Sequence, residues 1–559
     1  MSNRKISVAS PQWDRECDFL VLGAGGGGLV GALAAREAGL DVILSEKENW
    51  VGGATVLSGG TLWLLANSAL EKAGVNDSLS EGRAYLSALI KPEPDAIDQT
   101  RIEAFIEDSD ALANFLNRAG LELRHARGWS DYYAELPGGL ECGRTLFAKP
   151  FDVNQLGTAA EWLPAAAMFS SANSPEVSKL ALGTRSFASI LIAIRVFFRS
   201  AMARIRGAKL RTRGQALIGR LLLAARAAGI EIWRKAPMEE LILSDGRVVG
   251  ALIRQDGRTI RVHARRGVLL TTGGFAHNPE MRLRYQAPVS TDNTMAPKGD
   301  TGDGIIAAEK AGASVAMMEE SWWVPGTKTP SGPMVHVWDR CFPHSIIVDV
   351  NGQRYMDESG PYMETGQSMI RHHAKLGVDH SWIILEKRHR RRYAFGMAPP
   401  MVTPRGWLES GYLTQANSIG ELADAINVPR DALTASIAHF NNQIADGNDH
   451  DFGRGSRAIS RFYGDPSVKP NPNLGQVAQP PFYAIRIYPG DVGTAGGIRT
   501  DADGRALDDA LQPIPGLYAA GNAACGIFGP WYPGAGASIA PSMLFARRAA
   551  LAAAQETGL

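Results

Sequence analysis

Short continuous apolar runs and helical spacings succeed one another from the start of the chain. Residues 18–22 form an apolar run that reads as a buried strand. Residues 29–38 place apolar side chains at helical spacing and stop at Gly39, and 41–45 is a second apolar run leading into Glu46. This is one βαβ half-unit. Glycine-rich turns follow at Gly52-Gly53 and Gly59-Gly60, then a mostly helical stretch with an aromatic, turn-rich segment at 129–139. Residues 215–228 predict a helix, and 231–233, 240–243, 248–254 and 268–272 predict strands. From 321 to 480 the pattern changes to short mixed elements rich in Trp, Tyr and Pro, after which a strand at 516–520 and an Ala-rich helix from about Ser538 close the chain. The expected fold is α/β: a Rossmann-type dinucleotide-binding domain in two parts, 1–322 and 478–559, with an α+β catalytic domain inserted at 323–477. A length of 559 residues suits this, because one hydrophobic core stops growing well before that size.

Charge excludes one class of partner. The 58 Lys and Arg almost cancel the 57 Asp and Glu, so no nucleic-acid partner is expected. The four cysteines, Cys17, Cys142, Cys341 and Cys525, lie far apart without CxxC spacing, which indicates neither a metal site nor a disulfide framework. Residues 1–17 are polar with both charge signs and lack the apolar core of a secretory signal, so a cytoplasmic location is expected. One stretch is unusual. Residues 187–194 are apolar but for Ser189 and run into Arg195, Arg199, Arg204, Arg206, Lys209, Arg211 and Arg213 without an acidic residue. The apolar run is shorter than the ~20 residues a bilayer span needs. Two readings stay open: a surface helix with its apolar face on the core, and an amphipathic helix lying on an anionic membrane. The basic run 387–392 reads as a solvated face.

Candidate chemistry begins at Gly23-Ala24-Gly25-Gly26-Gly27-Gly28, a GxGxxG between strand and helix. Gly23 permits the tight turn, Gly25 lets backbone approach a pyrophosphate, and Gly28 lets helix pack on strand. Glu46, followed by Lys47, ends the second strand 21 residues after Gly25, where a carboxylate accepts from ribose hydroxyls and repels a 2′-phosphate. Gly52, Gly53, Ala54 and Thr55, with Ser58 and Gly59, supply small residues and hydroxyls suited to a long cofactor. Gly274 follows the strand at 268–272. Gly521 and Asn522 end the strand at 516–520 in the manner of a second FAD motif, and Ser538 and Ile539 open a helix whose N-terminus suits negative charge at a flavin. Together these favour FAD over NAD.

The chain resembles the fumarate reductase-like FAD superfamily, and within it the 3-ketosteroid Δ1-dehydrogenases. The resemblance is carried by 17–60, Ser130-Asp131-Tyr132-Tyr133, RYMDESGPY at 354–362, GDVGTAGGIRT at 490–500, and 516–541 with Tyr532-Pro533-Gly534-Ala535-Gly536. It implies a 3-ketosteroid substrate whose C3 carbonyl is held by Tyr532 and the N–H of Gly536. It also implies Tyr362 as the base at C2, with Tyr132 beside it, and hydride transfer from C1 to flavin N5. An unidentified electron acceptor, a quinone among the candidates, would reoxidise the flavin.

A tyrosine base working near neutrality needs ~4 kcal/mol of preferential phenolate stabilisation. A second phenol donating to the first is one expected source. Gly493-Thr494 stands where fumarate reductases carry a His, and Cys341-Phe342-Pro343 where an Arg-containing loop is expected, so a dicarboxylate would find few partners. Trp129, Trp322, Trp323 and Trp531 suit a flat apolar substrate instead. The alternatives are a 3-ketosteroid Δ4-(5α)-dehydrogenase, whose motif tends to carry Ser where this chain has Gly534, and a flavin-dependent C=C reductase. A non-catalytic flavoprotein scaffold is a third.

Overall fold

A computed structural model describes residues 13–90, 98–166 and 171–556. Most of the segment read as lacking a signal, 1–12, lies outside the described residues. The first sheet has eight strands. Its parallel centre runs Pro513–Ala519, Arg258–Leu270, β1 (Arg15–Leu22), β2 (Val42–Ser45) and Glu231–Trp233. These strands are apolar and buried towards their C-terminal ends because helices cover the sheet. Helix α1 (Gly26–Glu37) links β1 to β2, giving the βαβ unit that the apolar pattern predicts. The run read at 268–272 is the end of a longer strand whose first half forms an antiparallel extension with Arg247–Gln255 and Met238–Ser244.

The second sheet is antiparallel and six-stranded, in the order Gly332–Val335, Ser321–Thr329, Phe482–Thr494, Ser381–Glu386 and Ser345–Val348, with Thr414–Ala416 beside Phe482–Thr494. Phe482–Thr494 therefore pairs with strands of the 321–480 region although it follows that region in sequence.

Two solvent readings are decided by the structure. The helix Phe187–Ile205 does not lay its apolar face on the core: Ser189 is its one buried residue, while Phe187, Phe197, Phe198 and Ile205 are 65–79% exposed. The run 387–392 is a solvated face only in part: Lys387 and Arg391 are exposed, whereas His389 and Arg390 are buried and Arg390 donates to the Val402 carbonyl at 2.7 Å. That guanidinium can turn inward because backbone carbonyls supply its acceptors. No helix among the described residues is long and apolar enough to cross a membrane.

A buried ion network holds the segment after Trp129. Arg144 is fully buried and donates to Asp77 (2.9 and 2.7 Å), to Asp131 and to the Gly138 carbonyl (2.8 Å). Asp131 also accepts from Trp63 Nε1 at 2.8 Å and from the Leu140 N–H at 3.2 Å. One cation thus pins two carboxylates that no water reaches. Arg144→Met would leave both uncompensated, and it should lower unfolding free energy by about 3 to 5 kcal/mol. Urea denaturation of the variant against wild type measures this, and a loss under about 1 kcal/mol would deny the network its structural role.

Candidate active site

The nucleotide end is built from close backbone approaches. Gly23 has φ +102°, and a Cβ there would lie 2.3 Å from the Thr271 carbonyl oxygen; at Gly28 it would lie 1.9 Å from the Gly23 oxygen. Both positions therefore require glycine. A Cβ at Gly25, by contrast, meets nothing within 4 Å, which is the open side from which a phosphate can approach. Helix α1 starts at this point without a side-chain cap, leaving its first N–H groups free to bind an anion.

Glu46 sits at the end of β2 as expected, buried, with Oε2 accepting from the Ala24 N–H and Oε1 from the Glu48 N–H, both at 2.9 Å. Burial pushes its carboxyl up, against those two backbone donors. Lys47 turns its ammonium to Thr301 (2.7 Å) and Asp303 (2.6 Å). Gly52, φ +119°, bridges to Gly25 and starts α2 (Gly53–Leu57), which carries Ala54 and Thr55; Thr55 Oγ1 faces Gly26. Ser58 Oγ caps Thr55 and Gly60, while the Gly59 carbonyl accepts from Ser174 Oγ at 2.6 Å.

The C-terminal pieces meet this loop directly. A Cβ at Gly27 would lie 2.7 Å from Ser542 Oγ, and one at Gly521, φ +68°, 2.9 Å from the same atom. Gly274 packs against Thr494 and the Asn522 carbonyl, and Asn522 Oδ1 accepts from Trp322 Nε1 at 3.1 Å. Ser538 precedes the C-terminal helix Ile539–Gln555 without capping it through its side chain, and its hydroxyl lies 3.1 Å from that of Tyr532. Gly521, Asn522, Ser538, Ser542, Trp322 and Arg101 line one cavity. Gly25, Gly27, Gly52, Gly521 and Ser542 thus lie together, with bare backbone at Gly25 and two helix N-termini, those of Gly26–Glu37 and Ile539–Gln555, without side-chain caps. That arrangement fits FAD.

Three residues of this region escaped the sequence reading. Arg101 is buried, with Nε unpartnered and one amino group donating to the Cys525 carbonyl at 3.0 Å. Asp300 is buried against Gly273 with Oδ2 unpartnered, and burial raises its pKa to about 8 although the Gly274 N–H pulls the other way. Neither belongs to a recognisable spacing. An unpartnered buried polar atom is a structural signal only. The third is Tyr463, described below.

The three tyrosines, 132, 362 and 532, come from three distant segments and converge. Ring centroids lie 5.5 Å apart for Tyr132 and Tyr362, 5.8 Å for Tyr132 and Tyr532, and 5.1 Å for Tyr362 and Tyr532. Each is positioned by its own device. Tyr132 follows the pinned Asp131, and its N–H donates to the Pro533 carbonyl at 2.9 Å, tying it to the Tyr532 loop. The same carbonyl accepts from Tyr85 at 2.7 Å. Tyr362 opens the helix Tyr362–Leu376 behind a turn held by buried Arg340, which donates to the Glu358 and Gly360 carbonyls. Gly536 has φ +104° and no room for a Cβ against Thr61, and its N–H has no hydrogen-bond acceptor among the described residues. Tyr463, the missed residue, places its ring near Trp129 (6.1 Å) and its hydroxyl beside Tyr132.

The electrostatics depart from one expectation. Burial pushes the Tyr362 phenol well up, and Tyr532 and Tyr132 push it further rather than lowering it. Burial likewise raises Tyr132, and the Arg340 guanidinium acts against that rise. Neighbouring phenols fail as a lowering influence because a phenol that donates its own hydrogen bond is stabilised in its neutral form.

Residues 18–539 match the family described as FAD binding domain. A 3-oxosteroid 1-dehydrogenase of Mycolicibacterium smegmatis is 39% identical, over 96% of this chain and 97% of that one. The chain belongs to the 3-oxosteroid 1-dehydrogenase family. A 4-oxocyclohex-2-ene-1-carboxylate 5-dehydrogenase of Sinomonas cyclohexanicum is 33% identical, over 97% and 95%. Among solved structures, 3-ketosteroid Δ1-dehydrogenase of Sterolibacterium denitrificans in complex with 1,4-androstadiene-3,17-dione superposes with a TM-score of 0.91 at 32% identity, covering 97% of this chain and 99% of that one. The family members are FAD enzymes of the oxidoreductase class, and so is this chain.

Asp300 yields a test of the buried site. Its carboxyl stays protonated to about pH 8 in the fold, yet ionises near pH 4 when unfolded. The unfolded chain then binds fewer protons over that window, so this group's contribution falls as pH rises through it. In flavin-free protein Asp300→Asn should raise Tm more at pH 8 than at pH 5; an equal change at both would refute the shifted carboxyl.

Proposed function

We propose that this enzyme removes the C1 and C2 hydrogens of ring A of a 3-ketosteroid. The observation that carries the reading is the convergence of Tyr132, Tyr362 and Tyr532, with Gly536, whose N–H has no acceptor among the described residues, four residues after Tyr532. In it, the Tyr532 hydroxyl and the Gly536 N–H donate to the C3 carbonyl oxygen. Preorganised donors there stabilise the enolate character that develops as a proton leaves C2. Tyr362 takes that proton. Because burial holds its phenol neutral, its own proton must leave as the C2 proton arrives; Tyr132, in edge contact, receives it while releasing its own hydroxyl proton to Tyr463 beside it, and Tyr463 passes a proton on to solvent. FAD, when bound, supplies the hydride acceptor. The electron acceptor that reoxidises it is of unassigned chemistry, a quinone among the candidates. The division into 1–322, 323–477 and 478–559 remains part of this proposal, with Phe482–Thr494 as the strand that knits the parts together.

Two competing substrates fit less well. A Δ4-(5α)-type motif would put a side chain at position 534, where a Cβ lies 2.3 Å from the Trp63 ring. A ketone bearing a carboxylate would need a cation, but the Arg340 guanidinium spends its donors on the carbonyls of His336, Glu358 and Gly360. A steroid ketone asks for neither.

We also propose that 187–213 contacts a membrane surface, the reading left standing once the apolar face of Phe187–Ile205 is exposed. The preceding helix Ser174–Leu180 ties it to the substrate side: Lys179 donates to the Phe462 carbonyl at 2.6 Å, and Phe462 stacks on Trp129.

Incubation with 4-androstene-3,17-dione and an artificial acceptor should give the 1,4-diene, and steroid alone should bleach the flavin under anaerobic conditions. A C=C reductase would not bleach. Tyr362→Phe and Tyr532→Phe should each keep bound FAD and lose at least ~100-fold in turnover. Full activity in either variant removes the role assigned to that residue.

A further inference from the structure

The exposed helix ends beside a basic crevice that the proposed reaction does not use. The crevice has a volume of about 350 Å³ and is lined by Ser171, Arg204, Lys209 and Arg211, with backbone from Gly207 and Ala208. Among the described residues Arg204, Arg206 and Lys209 form no ion pair, whereas Arg199, one to two turns earlier, is paired with Glu176. Arg211 donates only to the neighbouring Leu210 carbonyl, at 3.3 Å, and its Nε is buried without a partner. Three cations therefore surround a space whose described lining holds no carboxylate, Asp152 lying outside it and accepting from the Lys209 N–H at 2.9 Å.

The apolar side of the same helix is continuous with this space. Phe187, Ile190, Leu191, Ile194, Phe197, Phe198, Met202 and Ile205 recur every three or four residues, so they share one face, and all are exposed. Met202 and Ile205 lie on the turn that carries Arg204. A helix lying in a bilayer interface buries its apolar face about 5–10 Å into the headgroup and acyl boundary, which brings cations at its polar flank level with lipid phosphates. Guanidinium forks bind phosphate oxygens through paired N–H donors. A soluble phosphate shares that chemistry, but it would leave the adjoining apolar face in water.

We propose that the Arg204, Lys209 and Arg211 crevice binds the phosphate of an anionic phospholipid while the apolar face of Phe187–Ile205 enters the membrane beside it. This rests on the membrane contact proposed above and adds the lipid class. Anionic lipid attraction is worth about five-fold in binding per basic residue near the surface. Purified holoenzyme would be co-sedimented with vesicles of phosphatidylcholine alone and of phosphatidylcholine mixed with phosphatidylglycerol. Vesicle-free steroid turnover serves as the fold control for every variant.

Wild type should favour the mixed vesicles. Replacing Arg204, Lys209 and Arg211 together by Gln should weaken mixed-vesicle binding by about 100-fold, leave phosphatidylcholine binding in place and leave vesicle-free turnover unchanged. Phe197→Ser with Phe198→Ser should weaken binding to both vesicle types. Equal binding of wild type to both vesicle types, or a triple variant that keeps the preference, overturns the crevice assignment while the membrane contact stands. Binding to neither overturns the contact itself. A rise in Tm with inorganic phosphate that the triple variant loses, without any vesicle preference in wild type, would assign the crevice to a soluble anion and also overturn the proposal.

Discussion

The structure depends on how closely the C-terminal helix lies against α1. Gly27 and Gly31 leave no room for a Cβ between the two helices: one at Gly27 would lie 2.9 Å from the Ser542 carbonyl oxygen, and one at Gly31 3.3 Å from that of Ala546. The approach is backbone to backbone, and larger side chains would push the helices apart. Because the helices touch there, Ser538, Tyr532 and Gly536 are delivered to the same place as the phosphate loop, some five hundred residues earlier in sequence. The position of the nucleotide-binding loop relative to Tyr532 and Gly536, the proposed carbonyl-binding pair, follows from a single packing constraint. The Thr145 hydroxyl, donating to the Ala535 carbonyl at 3.2 Å, and the Tyr132 N–H, donating to that of Pro533, then lock the intervening loop.

Around this hinge of packing, buried charge positions the phenols to which the proposed function assigns the chemistry. Arg144 orders the Asp131 turn that precedes Tyr132, and Arg340 orders the turn that precedes Tyr362. Neither guanidinium is free to meet substrate, so their effect is to make two loop tyrosines as rigid as core residues. Rigid loops matter in this site because the donors at a developing enolate must already point at it. The price is that the phenols sit in surroundings that keep them neutral, which makes the route by which a proton leaves Tyr362 as important as its proximity to C2.

The exposed helix obeys a different logic. Phe197 and Phe198 stand 67% and 65% exposed on a helix that ends in cations without an ion pair among the described residues. An apolar stripe flanked by basic groups is stable only against a surface that is itself apolar below and anionic above. The preceding helix is tied through Lys179 to the Phe462 carbonyl, and Phe462 stacks on Trp129, which neighbours Tyr463.

The sequence by itself determined the nucleotide-binding unit. The glycines of 23–28, the apolar runs of β1 and β2 and Glu46 are local requirements of a turn, a buried strand and a strand end, and local requirements are written in local spacing. Family motifs pointed to the three tyrosines, but no spacing of theirs predicts contact, since they lie hundreds of residues apart. Only the tertiary structure decided what folds against what: that Phe482–Thr494 joins the second sheet, that His389 and Arg390 of the run 387–392 turn inward, and that Phe187–Ile205 turns its apolar face out. It alone brought in Arg101, Asp300 and Tyr463, whose significance is burial beside other groups. Burial and long-range contact are properties of the packed chain, and so is the upward push on Tyr362, which no isolated residue carries.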